Sequence, residues 1–284
     1  MFFIVGLVVV FGSVIGGYMM HHGNLAVLNQ PNEFVIIAGA GIGSFLVGNS
    51  KTIVSRSVSS LKLMMHSGPP VSKEDYIDLL KFLYNIFKLM KSKGMLAVES
   101  HIEDPEKSEY FTKHPSLLHN HHAVAFFCDY VRLITMGMDN KYQLEELMEK
   151  ELEAHHHEMG LVSTAVVTLG DAFPALGIVA AVLGVITTMG SITEPPEILG
   201  GLIGAALVGT FLGVLLSYGV VGPMGHFFGK YFDAEHKYME VIKAGLLAHI
   251  QGNAPAISIE FARKLIPTDV MPGFIEVEQA ISAQ

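Results

Sequence analysis

Apolar residues gather in this chain into uninterrupted runs on either side of a long mixed stretch. Residues 1–20 carry no charged side chain, and about 20 apolar residues are what a helix needs to cross a bilayer. No basic segment precedes them and no small-x-small cleavage signature follows, so the run reads as an uncleaved span rather than a signal peptide. A polar turn over residues 21–33 leads to a shorter apolar run, 34–48. Runs of that length are often buried or re-entrant. Here Gly39 with Gly43 and Ser44 with Gly48 form small-xxx-small faces, which let membrane helices approach closely.

From Asn49 to about Gly160 charged residues and histidines mix with apolar ones at helical spacing, the pattern of a water-facing domain. Ser72 and Asp75 make an S-x-x-D cap, Ile77, Leu80, Leu83, Tyr84, Phe87 and Met90 follow on one stripe, and Gly94 supplies the stop. Lys88 and Lys91 fall off that stripe. A short helix over 95–102 places Glu99 beside an apolar face, and Asp104-Pro105 closes it. Residues 115–136 read as one helix with Phe126, Phe127, Tyr130 and Leu133 to bury; 143–158 is strongly acidic and runs on toward the membrane. A second pair of apolar runs, 161–189 and 199–221, is joined by S-I-T-E-P-P-E-I. The first is longer than a bilayer requires and should tilt or project. The second repeats the small-residue spacing at Gly200/Gly204 and Gly209/Gly213, with Thr210 among them, and Pro223 ends it. An amphipathic helix over 224–251, a break at 252–255 and a mixed tail complete the chain. The expectation is an all-α membrane protein with four transmembrane helices and a large helical insert: 1–50 spans one and two, 51–160 the insert, 161–223 spans three and four, 224–284 the C-terminal helix and tail.

Composition agrees: half of the 284 residues are hydrophobic and 16% charged, with a mean hydropathy of +0.44. A net charge of −9 argues against nucleic acid as partner, because phosphate binding needs a basic face. Lys and Arg occur only between Lys51 and Lys150 and from Lys230 onward, and neither short connection holds one. The positive-inside rule then puts both termini and the insert in the cytoplasm, with Lys51 and Arg56 the strongest indicators. Cys128 stands alone, so no intrachain disulfide or CxxC site exists. His119, His121 and His122 cluster, as do His155, His156, His157 and Glu158. Consecutive helical residues point about 100° apart and cannot chelate one ion without help from elsewhere, so these read as solvated or pH-sensitive surface, with no metal and no cofactor. No G-x-S-x-G, Walker A or Cys-His pairing marks an enzyme.

Within the third run stand Asp171 and, three residues on, Pro174. An ionisable group at bilayer depth costs roughly 2.5–3.5 kcal/mol and survives facing a bundle interior, a wet path or a partner. Proline removes a backbone donor and clashes with the preceding turn, loosening the helix beside the acid. The plainer alternative makes Asp171 an acid near the interface that caps a turn.

Three blocks resemble the MotA family of flagellar stator proteins: Q-P-N-E-F-V-I-I-A-G-A-G-I-G-S-F-L-V-G-N at 30–49, G-D-A-F-P-A-L-G-I-V-A-A-V-L-G-V at 170–185, and V-G-T-F-L-G-V-L-L-S-Y-G at 208–219. The layout of two span pairs around an insert is similar too. The resemblance implies an inner-membrane subunit of the ion-driven torque generator, five copies ringing two MotB-like subunits whose helix carries the essential aspartate. Asp171 would then be an accessory group lining the path. The family's two functional prolines match Pro174 and Pro223, and its rotor-facing charges match Lys91 and Glu99, the rotor partner being FliG. Lys91 stands where the family often has arginine; it keeps the charge but not the bidentate fork. A further acidic position matches Glu151, with Glu149 and Glu153 equally good by spacing. Sodium-using relatives carry a threonine where this chain has Ala181, while Thr210 is kept; the resemblance thus implies protons as the coupling ion. The rival readings are an ExbB- or TolQ-like energiser of an outer-membrane process and a four-span scaffold or metal-handling protein using its histidines.

Overall fold

In the computed structural model, which describes residues 2–65, 70–138 and 140–283, the regular elements are helical and no strand occurs among the described residues. Four helical stretches are long and apolar enough to cross a membrane: Phe3–Met20, Leu25–Gly48, Lys141–Met189 and Pro196–Ile250. The chain divides into two compact units, Met1–Ser67 with Glu158–Lys230 and Gly68–His157 with Tyr231–Gln284.

In the first unit, α1 (Phe2–Met20) leads to the one-turn α2 (Leu25–Leu28), started by Asn24, whose side chain accepts from the Ala26 N–H at 3.0 Å. Pro31 opens α3 (Pro31–Gly48); its missing donor is one the first turn could not use. The short second run is therefore a full helix, extended backward by the polar P-N-E. Ser50 caps α4 (Lys51–Ser60), from which Arg56 reaches Glu158 at 2.8 Å.

In the second unit, α5 (Lys73–Lys93) carries the expected capping box: the Ser72 hydroxyl accepts from the Asp75 N–H, and the Ser72 N–H donates to the Asp75 carboxylate at 2.8 Å. Gly94, at φ +85°, stops it, a conformation that L side chains rarely adopt. Next come α6 (Leu96–Glu103), α7 (Glu109–Thr112), α8 (Pro115–His119) and α9 (His121–Thr135). Phe82, Phe111 and Phe127 meet edge to face or tilted at the centre of this unit, with centroids 4.7 to 6.1 Å apart. Cys128 is buried there and free.

The helix expected over 115–136 is two. Asn120 breaks it: its side chain accepts from the Ala123 N–H at 3.0 Å while its own N–H donates to the Leu117 carbonyl. Asparagine competes with the helix backbone in just this way. The expected mixed tail also has regular structure, as α13 (Pro255–Lys264) and α14 (Phe274–Ser282), following the two long helices α10 (Lys141–Met189) and α12 (Gly222–Ile250). Both C-terminal helices pack on α5, and Arg263 of α13, 7% exposed, holds Glu260 of its own helix at 2.9 Å and donates to the Pro272 carbonyl, in the segment leading to α14, at 3.1 Å. The acidic segment does run on unbroken into the third apolar run, since α10 is 49 residues long, about 74 Å at 1.5 Å per residue.

Pro223 does not end the fourth apolar helix. After α11 (Pro196–Leu216) the chain makes a π turn over Ser217–Val221 and continues into α12. Proline has no N–H to give the Gly219 carbonyl four residues back; widening the preceding turn accommodates the loss. The Gly222 N–H then donates to the Ser217 carbonyl, five residues away.

Candidate functional site

Ser163, Gly170, Gly177 and Gly184 recur on α10 at intervals of seven, about two helical turns, so they share one face. That stripe meets small residues of α11 and α12. The Ser163 hydroxyl donates to the Gly225 carbonyl at 2.8 Å. A methyl group built on Gly170 would stand 3.0 Å from the Gly222 N, and one on Gly177 2.7 Å from the Gly209 carbonyl oxygen. One on Gly184 would stand 2.8 Å from the Ala206 Cβ. The result is a seam of near backbone-to-backbone contact along the third and fourth apolar runs. On its other side α3 contributes Gly41, where a methyl would meet the Phe173 ring at 2.7 Å.

The expected pairs Gly39/Gly43, Ser44/Gly48 and Gly200/Gly204 do not make close contacts of this kind within the chain. Around Gly39, Gly43, Gly48 and Gly200 nothing among the described residues beyond the glycine's own stretch of helix lies within 4 Å of a built methyl, and Gly204 meets Val27 at 3.9 Å. Gly209 and Gly213 do lie in the seam. The seven-residue spacing on α10 is the signal that would have found it.

Several sequence-derived residues gather along this seam. Pro174 is half-buried inside α10 and, lacking an N–H, leaves the Gly170 carbonyl without its usual partner. Gly170 packs on Gly222, the neighbour of Pro223, so the two proline-loosened turns touch. Ala181 and Thr210, both half-buried, flank Gly209: a methyl there would stand 3.1 Å from the Ala181 N. Asp171 follows Gly170 but is exposed at the surface of the single chain.

The charged set lies in the second unit. Lys91, in the last turn of α5, and Glu99, in the first turn of α6, are exposed on either side of Gly94. Glu151 is exposed yet accepts the Tyr130 hydroxyl at 2.7 Å, and Glu149 takes Lys243 at 3.1 Å. Positions that were equal by spacing therefore differ in their bonds. Tyr130 is pushed above the ordinary tyrosine range by burial and by the Glu151 carboxylate.

The histidine runs acquire partners from other helices. His122 faces His155 with centroids 3.9 Å apart, and His156 faces His236 at 4.4 Å. His156 stands 3.7 Å from Asp233 and His236 3.5 Å from Glu240. Among the described residues no group of three or more His, Cys, Asp or Glu is arranged to hold a metal ion.

Glu33 escaped the sequence reading, which left it in a polar turn. It lies in the first turn of α3, only 8% exposed, with no hydrogen-bond partner at Oε2. Its carboxyl faces the seam, where a methyl on Gly209 would stand 2.7 Å from Oε2 and one on Gly184 3.3 Å from Oε1. An acid beside a proline at the edge of an apolar run looks like an ordinary helix start, so one sequence held no signal for it.

The motility protein A N-terminal family model matches residues 4–94, and the MotA/TolQ/ExbB proton channel family model residues 119–241. The chain is 41% identical to motility protein A of Escherichia coli K12, covering all of this chain and 96% of that one. It is 33% identical to the chemotaxis protein LafT of Vibrio parahaemolyticus, over 98% of each. Among solved structures it is similar to C. jejuni MotAB, with a TM-score of 0.77 at 20% identity, covering 94% of this chain and 96% of that one. The flagellar MotAB stator complex from Bacillus subtilis gives 0.75 at 20% identity, with the same coverage.

Proposed function

The chain belongs to the motility protein A family of MotA/TolQ/ExbB proton channel proteins, and from that premise we infer that it is a stator subunit of the bacterial flagellar motor. With a MotB-like partner it conducts ions across the inner membrane and converts the ion-motive force into torque. The observation that carries this reading is the seam, where Pro174, Ala181, Thr210 and Pro223 gather within a chain 41% identical to a motility protein along its whole length. The ExbB- or TolQ-like alternative is not favoured, because its relatives at this level are motility and chemotaxis proteins.

In this reading four spans cross the membrane with both termini in the cytoplasm, and the second unit faces the rotor. Five copies surround two MotB-like helices. Asp171, exposed on the single chain, then lines the path beside the partner, as an intramembrane acid should. Protonation of the partner's carboxylate removes a buried charge and changes which helix contacts are favourable. Each charge moved through 100 mV releases about 2.3 kcal/mol. Pro174 and Pro223 shape the helices that respond, Lys91, Glu99 and Glu151 pass the motion to FliG, and alanine at 181 favours protons over sodium. Deleting the gene tests the assignment: intact but paralysed flagella, restored to rotation by the wild-type gene, are expected. Normal swimming with impaired outer-membrane uptake would overturn it.

A further inference from the structure

We propose that Glu33 is a second proton-binding carboxyl of the ion path, set in the seam away from Asp171 and exchanging its proton with water on the outer side. This rests on the stator reading and its topology.

The carboxyl sits where two glycines leave space. Alanine at Gly209 would put its methyl 2.7 Å from Oε2, and at Gly184 3.3 Å from Oε1. An acid in a first helical turn ordinarily offers its charge to the free N–H groups there or to water. Glu33 is 8% exposed and its Oε2 bonds to nothing. The residues that share the two glycine spaces with it are small and uncharged: Ala180 and Ala181 beside Gly209, and Ala206 beside Gly184. Along α10 and α11 the nearest acids are Asp171, nine residues from Ala180, and Glu197, nine from Ala206, each at about 14 Å by helical rise. Neighbouring α2 holds no titratable side chain.

An ionised carboxylate buried without a partner is costly, whereas the neutral acid is far less so. The site therefore favours a bound proton and yields it only when a base or water reaches it. Exchange is a proton transfer alone: the O–H bond at Oε2 forms as a hydronium from the outer side gives up its proton. That bond breaks as the proton passes inward toward the partner's carboxylate, and the Glu33 carboxylate is reprotonated from outer water. Asp171 and Glu33 would thus bracket the segment of α10 that holds Pro174 and Ala181.

The full chain, co-expressed with its MotB-like partner in a strain lacking this gene, is compared with Glu33→Gln and Glu33→Asp. Rotation restored by the wild type tests the stator reading by itself. Glu33→Gln is expected to assemble in the membrane at the wild-type level and to rotate about tenfold slower at low load, short of the roughly hundredfold that loss of an obligatory acid brings. Glu33→Asp should recover part of the speed. Infrared difference spectra of the purified complex across a pH titration should show a protonated-carboxyl band that Glu33→Gln lacks. Wild-type speed in Glu33→Gln, accumulation that falls in step with speed, or unchanged spectra would each overturn the proposal. Should the wild type itself fail to restore rotation, the stator reading falls and the infrared band decides whether Glu33 binds a proton.

Discussion

Gly177 and Gly213 meet across the seam so closely that a methyl group built on Gly213 would stand 2.9 Å from the Gly177 Cα. The same methyl would lie 2.5 Å from the Phe173 carbonyl oxygen, so the position is closed on two sides by backbone that cannot rotate away. Gly213→Val should therefore destabilise the purified chain by about 1–3 kcal/mol, the usual cost of overpacking. Gly200→Ala, which meets nothing within 4 Å, should stay within about 0.5 kcal/mol. Thermal unfolding of both in lipid nanodiscs checks the contrast.

Pro223→Ala returns a donor to the Gly219 carbonyl and removes the reason for the π turn over Ser217–Val221. Pro174→Ala does the same for Gly170. Both variants should reach the membrane normally and lose rotation by roughly tenfold, about 1.4 kcal/mol on the step they shape. Immunoblots of membranes and rotation of tethered cells measure the two effects separately.

Lys91 and Glu99 are exposed, so Lys91→Glu and Glu99→Lys should alter folding stability by no more than about 0.5 kcal/mol while lowering torque. Opposite charge changes on the rotor protein should return part of the loss. Stall torque of bead-loaded motors reads this directly, and no recovery in any pairing would remove these residues from the rotor contact.

Tyr130→Phe deletes the hydroxyl that donates to Glu151 at 2.7 Å. With Glu151 open to solvent, the bond to its charge is worth about 1 kcal/mol. Denaturant titration should show that loss. Glu151→Gln should cost less, because the amide oxygen still accepts.

Burial holds the imidazoles of His122, His236 and His249 below the ordinary histidine range, with the Lys91 ammonium adding to the effect at His249. A depressed histidine binds fewer protons folded than unfolded, so its contribution to stability is complete above the unfolded value of about 6.5 and fades as pH falls through it. The unfolding midpoint of the purified chain should drop between about pH 7.5 and about pH 5.5. His236→Gln, unable to take up the proton, should narrow that drop.

Much of the fold follows from local pattern. The apolar runs mark the four candidate spans, and the Ser72–Asp75 box and Gly94 bracket α5 because both act through their own backbone neighbours. The prolines at 174 and 223 were legible as perturbations for the same reason, since a missing N–H is a property of the residue itself. How the chain absorbs Pro223 was not legible: an unbroken helix with one widened turn and a helix end satisfy the same local chemistry. The two C-terminal helices depended on packing around α5, which no short window contains; the split at Asn120 is local, but an asparagine inside an apolar stripe fits a continuous helix as well as a cap.

By itself, then, the sequence determined which segments are apolar enough to cross a membrane, because the cost of placing a charge or a backbone donor in lipid is settled by the segment alone. Which small residues touch, which of Glu149 and Glu151 holds Lys243 or Tyr130, and that Glu33 lies buried against Gly184 and Gly209 were decided only by tertiary structure. A side chain's partner depends on the helix brought beside it, and that helix lies 21 residues away for Tyr130 and Glu151 and 94 away for Lys243 and Glu149.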